Sequence, residues 1–427
     1  MATYLHPRDE ILQAMERIYR YRMTTTSGGN LSIRDHCGDV WITPARLDKG
    51  ALRREDIVRI RPDGAVEGRS RPSSELPLHQ AIRCRRPDLG GIVHAHPVAL
   101  VAFSLVHDVP NTRLFHKART VCGEVGFAPY ALPGSEALAR NVAEAFRPGC
   151  TCAILENHGV VTAGENLREA FHRFETLEFS GKTIIEARRL GKIRYLTDKE
   201  IELATQRASG LPELDRPAPT SLEMELRHRL CEFVRRAYRQ RLFISTQGSF
   251  SVRLDEFSFL ITPFQVDRGV LDEANLVLVS HGKSEAGKLP SLATGNHQAI
   301  YREHPEVHAV INAYPVNATA FSVTGVPIDT RTIPESYVVL RQIRRVEYGL
   351  QFQNYEELAR QVSPRQPVAM LENDGVLVIG SDILEAYDRL EVLESTAEAI
   401  LNCRALGELA PMPEEATRQL EKTFLTS

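Results

Sequence analysis

The chain lacks an apolar run long enough to span a bilayer, and its first ten residues, Met1 to Glu10, hold no signal-peptide core. A membrane-embedded or secreted protein is therefore not expected. Cysteine is sparse. Seven in 427 residues, an odd number, argue against a disulfide framework and for a reducing, cytoplasmic setting. Excess charge of either sign is also missing: 52 Lys and Arg stand against 55 Asp and Glu. The pairs Arg53-Arg54, Arg85-Arg86 and Arg235-Arg236 read as solvated helix faces, so no nucleic-acid partner is expected. What remains is the composition of an ordinary globular protein, long enough for two or three domains.

Histidine carries the strongest chemical signal. His94 and His96 close the apolar run Gly90-Gly-Ile-Val-His-Ala-His96, which reads as a strand ending at Pro97. Side chains two apart on a strand point the same way, so both imidazoles address one point. His158 follows another apolar run, in Glu156-Asn-His-Gly159. Three imidazoles with an open fourth position are the layout of a catalytic zinc site rather than a structural one. Glu75, beside Ser73 and Ser74, lies upstream. Cys150 and Cys152, just before the Ala153–Leu155 strand, read as small buried apolar residues rather than as a second metal site.

The chain repeats itself. Ser27-Gly-Gly-Asn-Leu-Ser-Ile-Arg34 returns as Thr246-Gln-Gly-Ser-Phe-Ser-Val-Arg253. Trp41-Ile-Thr-Pro44 returns as Leu260-Ile-Thr-Pro263. Leu47-Asp-Lys-Gly-Ala-Leu52 returns as Val266-Asp-Arg-Gly-Val-Leu271. His79-Gln-Ala-Ile82 returns as His297-Gln-Ala-Ile300, and Glu156-Asn-His-Gly-Val160 as Glu372-Asn-Asp-Gly-Val376. Order and spacing hold over about two hundred residues, which marks a tandem duplication. The joint falls at Arg207–Thr220, rich in proline. Domains are expected at 1–208 and 221–427, each a three-layer α/β/α unit with a mixed, mostly antiparallel sheet. Helices are expected at Asp9–Arg22, Ser135–Phe146 and Leu167–Leu190. Strands are expected at Val40–Thr43, Ile57–Arg61, Gly91–Ala95 and Cys152–Leu155.

The second copy keeps the turns and loses the chemistry. Asn312, Tyr314 and Asp374 stand where His94, His96 and His158 stand. Ala293 replaces Glu75, Leu292 replaces Ser74 and Ser249 replaces Asn30. The expected reading is one catalytic and one non-catalytic domain.

These motifs, Gly28-Gly-Asn-Leu-Ser32, Ser73-Ser-Glu75, His94-Ala-His-Pro97 and Asn157-His-Gly159, resemble the class II aldolase/adducin family. The likeness runs from about Leu5 to Gly191 and, degenerate, from Ser221 to Leu406. It implies metal ligation by His94, His96 and His158, with zinc preferred over iron or manganese. It implies Glu75 as the catalytic carboxylate and Gly29, Asn30, Thr43, Ser73 and Ser74 as substrate- and anion-binding residues. Serines opening a helix also fit an anion site on physical grounds, as they fit a plain N-cap. Two positions depart from the family. Pro44-Ala45-Arg46 follows Thr43 where a glycine is common, which makes Arg46 a possible anion contact. Phe115 stands where aldolases carry a proton-donating tyrosine; His116 next to it is either the donor or an exposed loop residue.

The resemblance implies a metal-dependent lyase acting on a small hydroxy-carbonyl compound such as a sugar phosphate. Retro-aldol cleavage would run through a metal-stabilised enediolate. The alternatives are a decarboxylase or epimerase at the same metal, or an adducin-like interaction protein. It further implies a homodimer forming a pseudo-tetrameric ring, with the second copy's Tyr337 or His297 facing a first-copy metal.

Overall fold

The computed structural model describes residues 5–205, 210–215 and 218–425. Two compact units are present: residues 1–112 with 117–182, and residues 113–116 with 183–427. The repeat and the compact units divide at different points. Part of the expected joint, residues 207–209 and 216–217, lies outside the described residues.

In the first unit eight strands form one sheet. They are β1 (Asn30–Arg34), β2 (Val40–Ile42), β3 (Val58–Ile60), β4 (Val66–Glu67), β5 (Gly91–Ala95), β6 (Glu124–Ala128), β7 (Cys150–Leu155) and β8 (Gly159–Gly164). Their order is β4-β3-β2-β1-β5-β8-β7-β6. Only β6–β7 is parallel, because the chain crosses over through a helix there. The helices of this repeat are α1 (Pro7–Arg20), α2 (Leu76–Arg85), α3 (Val98–Leu105), α4 (His116–Cys122), α5 (Glu136–Ala145) and α6 (Leu167–Leu190).

Alternation along the strands builds a core on each face. Leu31, Val93, Ile154 and Val160 pack with Ile11, Met15 and Ile18 of α1 and Phe171 and Phe174 of α6. Ile92, Ala153 and Val161 pack on the other face with Leu78 and Ile82 of α2 and Leu138 and Val142 of α5. The result is the expected three-layer sandwich. Cys150 and Cys152 are fully buried free thiols, used as small apolar residues as expected.

The second unit repeats this plan. Its strands are β9 (Glu213–Leu214), β10 (Ser249–Arg253), β11 (Ser258–Ile261), β12 (Val277–Ser280), β13 (Lys283–Glu285), β14 (Ala309–Ala313), β15 (Arg344–Val346), β16 (Val368–Leu371) and β17 (Val376–Gly380). The order β15-β16-β17-β14-β10-β11-β12-β13-β9 is the first sheet's order with one strand added at the edge. That strand, β9, comes from the joint and pairs parallel with β13. Residues 113–116 belong to this unit. Asn373 Nδ2 donates to the carbonyls of Leu114 and Arg194, both at 2.9 Å, and Leu196 N donates to Arg113 O. No described helix is long and apolar enough to cross a membrane.

Candidate active site

His94 is on β5, opposite Asn30 of β1 and Val161 of β8. His96 stands just past the end of that strand, before Pro97 caps α3. His158 is in the tight turn joining β7 to β8, where Leu155 pairs with Gly159. The turn needs a left-handed residue, and Asn157 supplies it at φ 51°. The three rings converge. Their ligand nitrogens lie within 4.8 Å of one another, and among the described residues they form the sole such group of three or more His, Cys, Asp or Glu side chains.

Hydrogen bonds set the orientation of these rings. His94 Nδ1 lies 2.9 Å from the carbonyl oxygen of Val160, so that nitrogen carries a proton and Nε2 faces the cluster. His94 Nε2 is 3.1 Å from His96 Nε2. Gly159 makes room, since a Cβ there would fall 2.6 Å from His96 Cδ2. Gly29, at φ 73°, makes room on the other side, since its Cβ would fall 2.8 Å from His94 O.

Glu75 occupies the N-cap position of α2 but does not cap it. Its side chain turns inward instead. Oε2 lies 3.1 Å from His94 Nε2, and Oε1 lies 3.4 Å from His158 Nε2 without forming a hydrogen bond. Asn30 Nδ2 donates to Oε2 at 2.7 Å. Asn30 Oδ1 in turn accepts from His79 Nε2, and His79 Nδ1 pairs with the Ser32 hydroxyl at 2.6 Å. Arg83 donates to the same hydroxyl. His79 and Ser32 were not among the sequence-derived site residues. Their signal was the recurrence of both in the second copy, where Ser251 and His297 make the same 2.6 Å pair.

Burial alone would raise the Glu75 carboxyl, but His94, then His158 and the Asn30 hydrogen bond, hold it well below the usual range. Burial and the neighbouring His94 push His96 down to about 3 and His158 down to about 4. Both rings are therefore neutral, with a lone pair free to ligate. Burial works against charge on His94 as well, but the Glu75 carboxylate overcomes it and the net shift is upward. The cluster thus draws positive charge to the space between His94 Nε2 and Glu75.

The remaining sequence-derived residues surround this cluster in different ways. Ser73 is buried, and its Oγ accepts from Glu75 N at 3.3 Å, while Ser74 is exposed. Thr43 is fully buried, and its hydroxyl accepts from Leu31 N at 3.1 Å. The same bond joins Thr262 to Phe250 in the second copy, so it braces the strand pair. Thr24 Oγ1, 3.0 Å from a Cβ built on Gly28 or Gly29, is a buried hydroxyl with no hydrogen-bond partner among the described residues. Arg46 is exposed with φ 57°. Lys49 is the buried cation of this turn, and its Nζ is spent on Pro44 O at 2.8 Å.

The second copy fills the corresponding space with hydrogen bonds. Asn312 Oδ1 accepts from His297 Nε2 at 2.8 Å. Tyr314 OH donates to Asp374 Oδ1 at 2.9 Å, and Gln351 Nε2 donates to Asp374 Oδ2 at 3.2 Å. His116 Nδ1 is 3.7 Å from Asp374 Oδ1. Two expectations are corrected here. His116 is not an exposed loop residue but is buried, at the start of α4, against Phe352. His297 has both ring nitrogens engaged and no exposed surface, so it faces no metal. Tyr337 is half-buried, and its hydroxyl donates to Glu421.

The profile of the family described as Class II Aldolase and Adducin N-terminal domain matches residues 9–185 and again 228–401, so the chain belongs to that family. With it the chain joins the lyases of class II aldolase type. The chain is similar to L-fuculose phosphate aldolase of Methanococcus maripaludis, 34% identical over 40% of this chain and 91% of that protein. It is also similar to 3-oxo-tetronate 4-phosphate decarboxylase of Haemophilus influenzae, 31% identical over 47% of this chain and 96% of that protein. Among solved structures, YgbL of Escherichia coli is 29% identical, with a TM-score of 0.43, covering 46% of this chain and 95% of its own. An L-fuculose 1-phosphate aldolase structure is 30% identical, with a TM-score of 0.42, covering 46% and 93%.

Proposed function

We propose that the first repeat is a metal-dependent sugar-phosphate lyase centre and that the second repeat is not catalytic. The convergence of three imidazole nitrogens beside a carboxylate carries this reading. The donor set fits a divalent cation: two neutral rings, a third oriented by Val160, and a carboxylate held in its charged form beside them. His94, His96 and His158 would hold the metal, and three imidazoles favour zinc. When bound, a divalent metal acts as a Lewis acid toward adjacent hydroxyl and carbonyl oxygens of the substrate.

The chain's own residues do the rest. Glu75 moves the proton to and from the carbon at which the carbon–carbon bond breaks, a transfer worth roughly 10²–10⁴ in rate. Asn30 holds the Glu75 Oε2 atom and leaves Oε1 without a hydrogen bond. The Gly28–Gly29 turn, the unsatisfied Thr24 hydroxyl, Ser73 and Ser74 offer donors to a phosphate. Burial of Glu75 and His94 keeps water from competing for the proton.

Retro-aldol cleavage is the first reading. Decarboxylation at the same residues is the second, favoured by the longer match to the tetronate-phosphate decarboxylase, 206 residues against 170. Both break a carbon–carbon bond next to a carbonyl. The test is purified full-length protein offered ketose 1-phosphates and 3-oxo acid phosphates, with and without chelator. Aldehyde release supports the first reading and carbon dioxide release the second. Chelator-insensitive turnover overturns the metal. A homodimer arranged as a pseudo-tetrameric ring belongs to the same proposal, checked by sedimentation.

A further inference from the structure

The second unit contains a cavity of about 940 Å³ that is not the vacated copy of the histidine cluster. Its walls come from residues 327–331, from 341–343 leading into β15, and from 363–366 leading into β16. Asp374 follows the other end of β16, so the cavity and the degenerate site lie at opposite ends of these strands.

The charges lining it are unequal in kind. Asp329 is taken up by Arg331, through Nε at 3.0 Å and a second nitrogen at 2.8 Å. Glu421 accepts from Tyr337. Asp329 and Arg331 cancel, whereas Glu421, held only by a neutral hydroxyl, keeps its negative charge. Arg341 and Arg365 carry the uncancelled positive charge: among the described residues neither has a carboxylate within ion-pair distance. Arg341 Nε is buried without a hydrogen-bond partner, a costly state for a charged group.

Arg341 is also held in place by its backbone. It closes helix Pro334–Leu340 at φ 56° and ψ −135°, a conformation sparsely used outside glycine. Thr330 Oγ1 donates to its carbonyl at 2.7 Å, and its own N–H donates to Tyr337 O. Arg365 is presented by a tight turn in which Ser363 and Gln366 exchange backbone hydrogen bonds at 3.0 and 2.8 Å across Pro364-Arg365. Gln366 Nε2 donates to Gln342 Oε1 at 3.1 Å, which gives the wall a polar amide floor. Ile328, Ile343 and Leu425 supply apolar surface.

We propose that this cavity is a binding site for a small phosphomonoester, with Arg341 and Arg365 holding the phosphate. Guanidinium forks match phosphate oxygens in pairs, and two of them outweigh the one uncancelled carboxylate, Glu421, so the lining keeps net positive charge for an anion. The volume is that of a small-molecule site rather than of a bare ion. The apolar side chains and the amides take the organic part and its hydroxyls. The site stands independently of the lyase centre, because every residue in it belongs to the second unit.

The test uses the full chain and glycerol 3-phosphate, which has no carbonyl to cleave, with inorganic phosphate and glycerol as separate arms. Hydrogen–deuterium exchange is read on peptides spanning 327–343 and 361–366. Glycerol 3-phosphate is expected to slow exchange there, phosphate less so, and glycerol not at all. Arg365→Gln, in an exposed turn that should not disturb folding, should weaken the apparent affinity about tenfold. Arg341→Gln should do the same or more, and Arg341→Lys should recover part of it. Absence of slowing at millimolar ester overturns the proposal. So does slowing that survives Arg365→Gln unchanged, or slowing by inorganic phosphate equal to that by the ester, which would mark an adventitious ion only.

Discussion

Asn30 donates its amide to Glu75 Oε2 at 2.7 Å while its own oxygen accepts from His79, so one side chain ties the carboxylate to a buried histidine. This relationship leaves Oε1 as the Glu75 oxygen without a hydrogen bond, the one that the proposed proton transfer would use. It is lost in the second copy, where Ser249 and Ala293 occupy the two positions and His297 turns to Asn312 instead. Asn30→Ala should therefore release Glu75 and strand His79, costing about 1–3 kcal/mol of stability. Turnover should fall about tenfold or more while metal content stays at the wild-type level. Unchanged turnover in a folded variant would remove the positioning role.

Glu75→Gln keeps the size of the side chain and its contact with Asn30 but cannot take up a proton at neutral pH. Fold and bound metal should survive while turnover falls about a hundredfold or more. Measured kcat near wild type would make Glu75 structural and reopen the search for the proton carrier.

Metal stoichiometry should distinguish the two repeats. Elemental analysis should give close to one divalent ion per chain, and His94→Ala should abolish it, because two remaining imidazoles bind zinc poorly. Two ions per chain would mean that the second copy ligates after all. Full retention in His94→Ala would take this histidine out of the ligand set.

Much of this site is legible in sequence because its geometry is local. The strand Gly91–Ala95 and the helix Leu167–Leu190 fall where the apolar pattern puts them, and His-x-His on a strand end aims both rings by parity alone. The internal repeat carries the sheet order from one half to the other. What the pattern does not show depends on contacts far apart along the chain. His79 meets Asn30 from 49 positions away. Lys49 is buried against its own turn, as is its counterpart Arg268. The joint contributes an edge strand, Glu213–Leu214, whose two residues hold no periodicity to read.

Gly29 and Gly159 are fixed by close approach rather than by chemistry. A methyl group on Gly29 meets the His94 carbonyl in a left-handed backbone, and Gly29→Ala should cost about 1–3 kcal/mol. Gly159→Ala should add a second effect, since its methyl group meets both the Ala95 carbonyl at 2.7 Å and the His96 ring at 2.6 Å. Its expected signature is weaker metal binding, read by competition with a chromogenic chelator, together with a lowered melting temperature. Equal metal affinity in Gly159→Ala would show that His96 has slack in its position or no part in ligation.

The second copy keeps its fold and its Glu-Asn-x-Gly turn without the histidine, and Asn373 gives a physical reason. At φ 49° it is the left-handed residue of that turn, and its amide also binds the carbonyls of Leu114 and Arg194. Arg194 returns a bond to Asn373 Oδ1 at 2.7 Å. The turn therefore anchors residues 113–116 and 194 within the second unit. Asn373→Gly preserves the backbone conformation and deletes the amide, which isolates this anchoring role. Loss of these buried hydrogen bonds should cost about 1–3 kcal/mol, a fall of several degrees in the melting of a unit of this size. Proteolytic cleavage near Arg113 should accelerate in the same variant. Wild-type melting together with wild-type protease resistance would leave the retained asparagine explained by its backbone conformation alone.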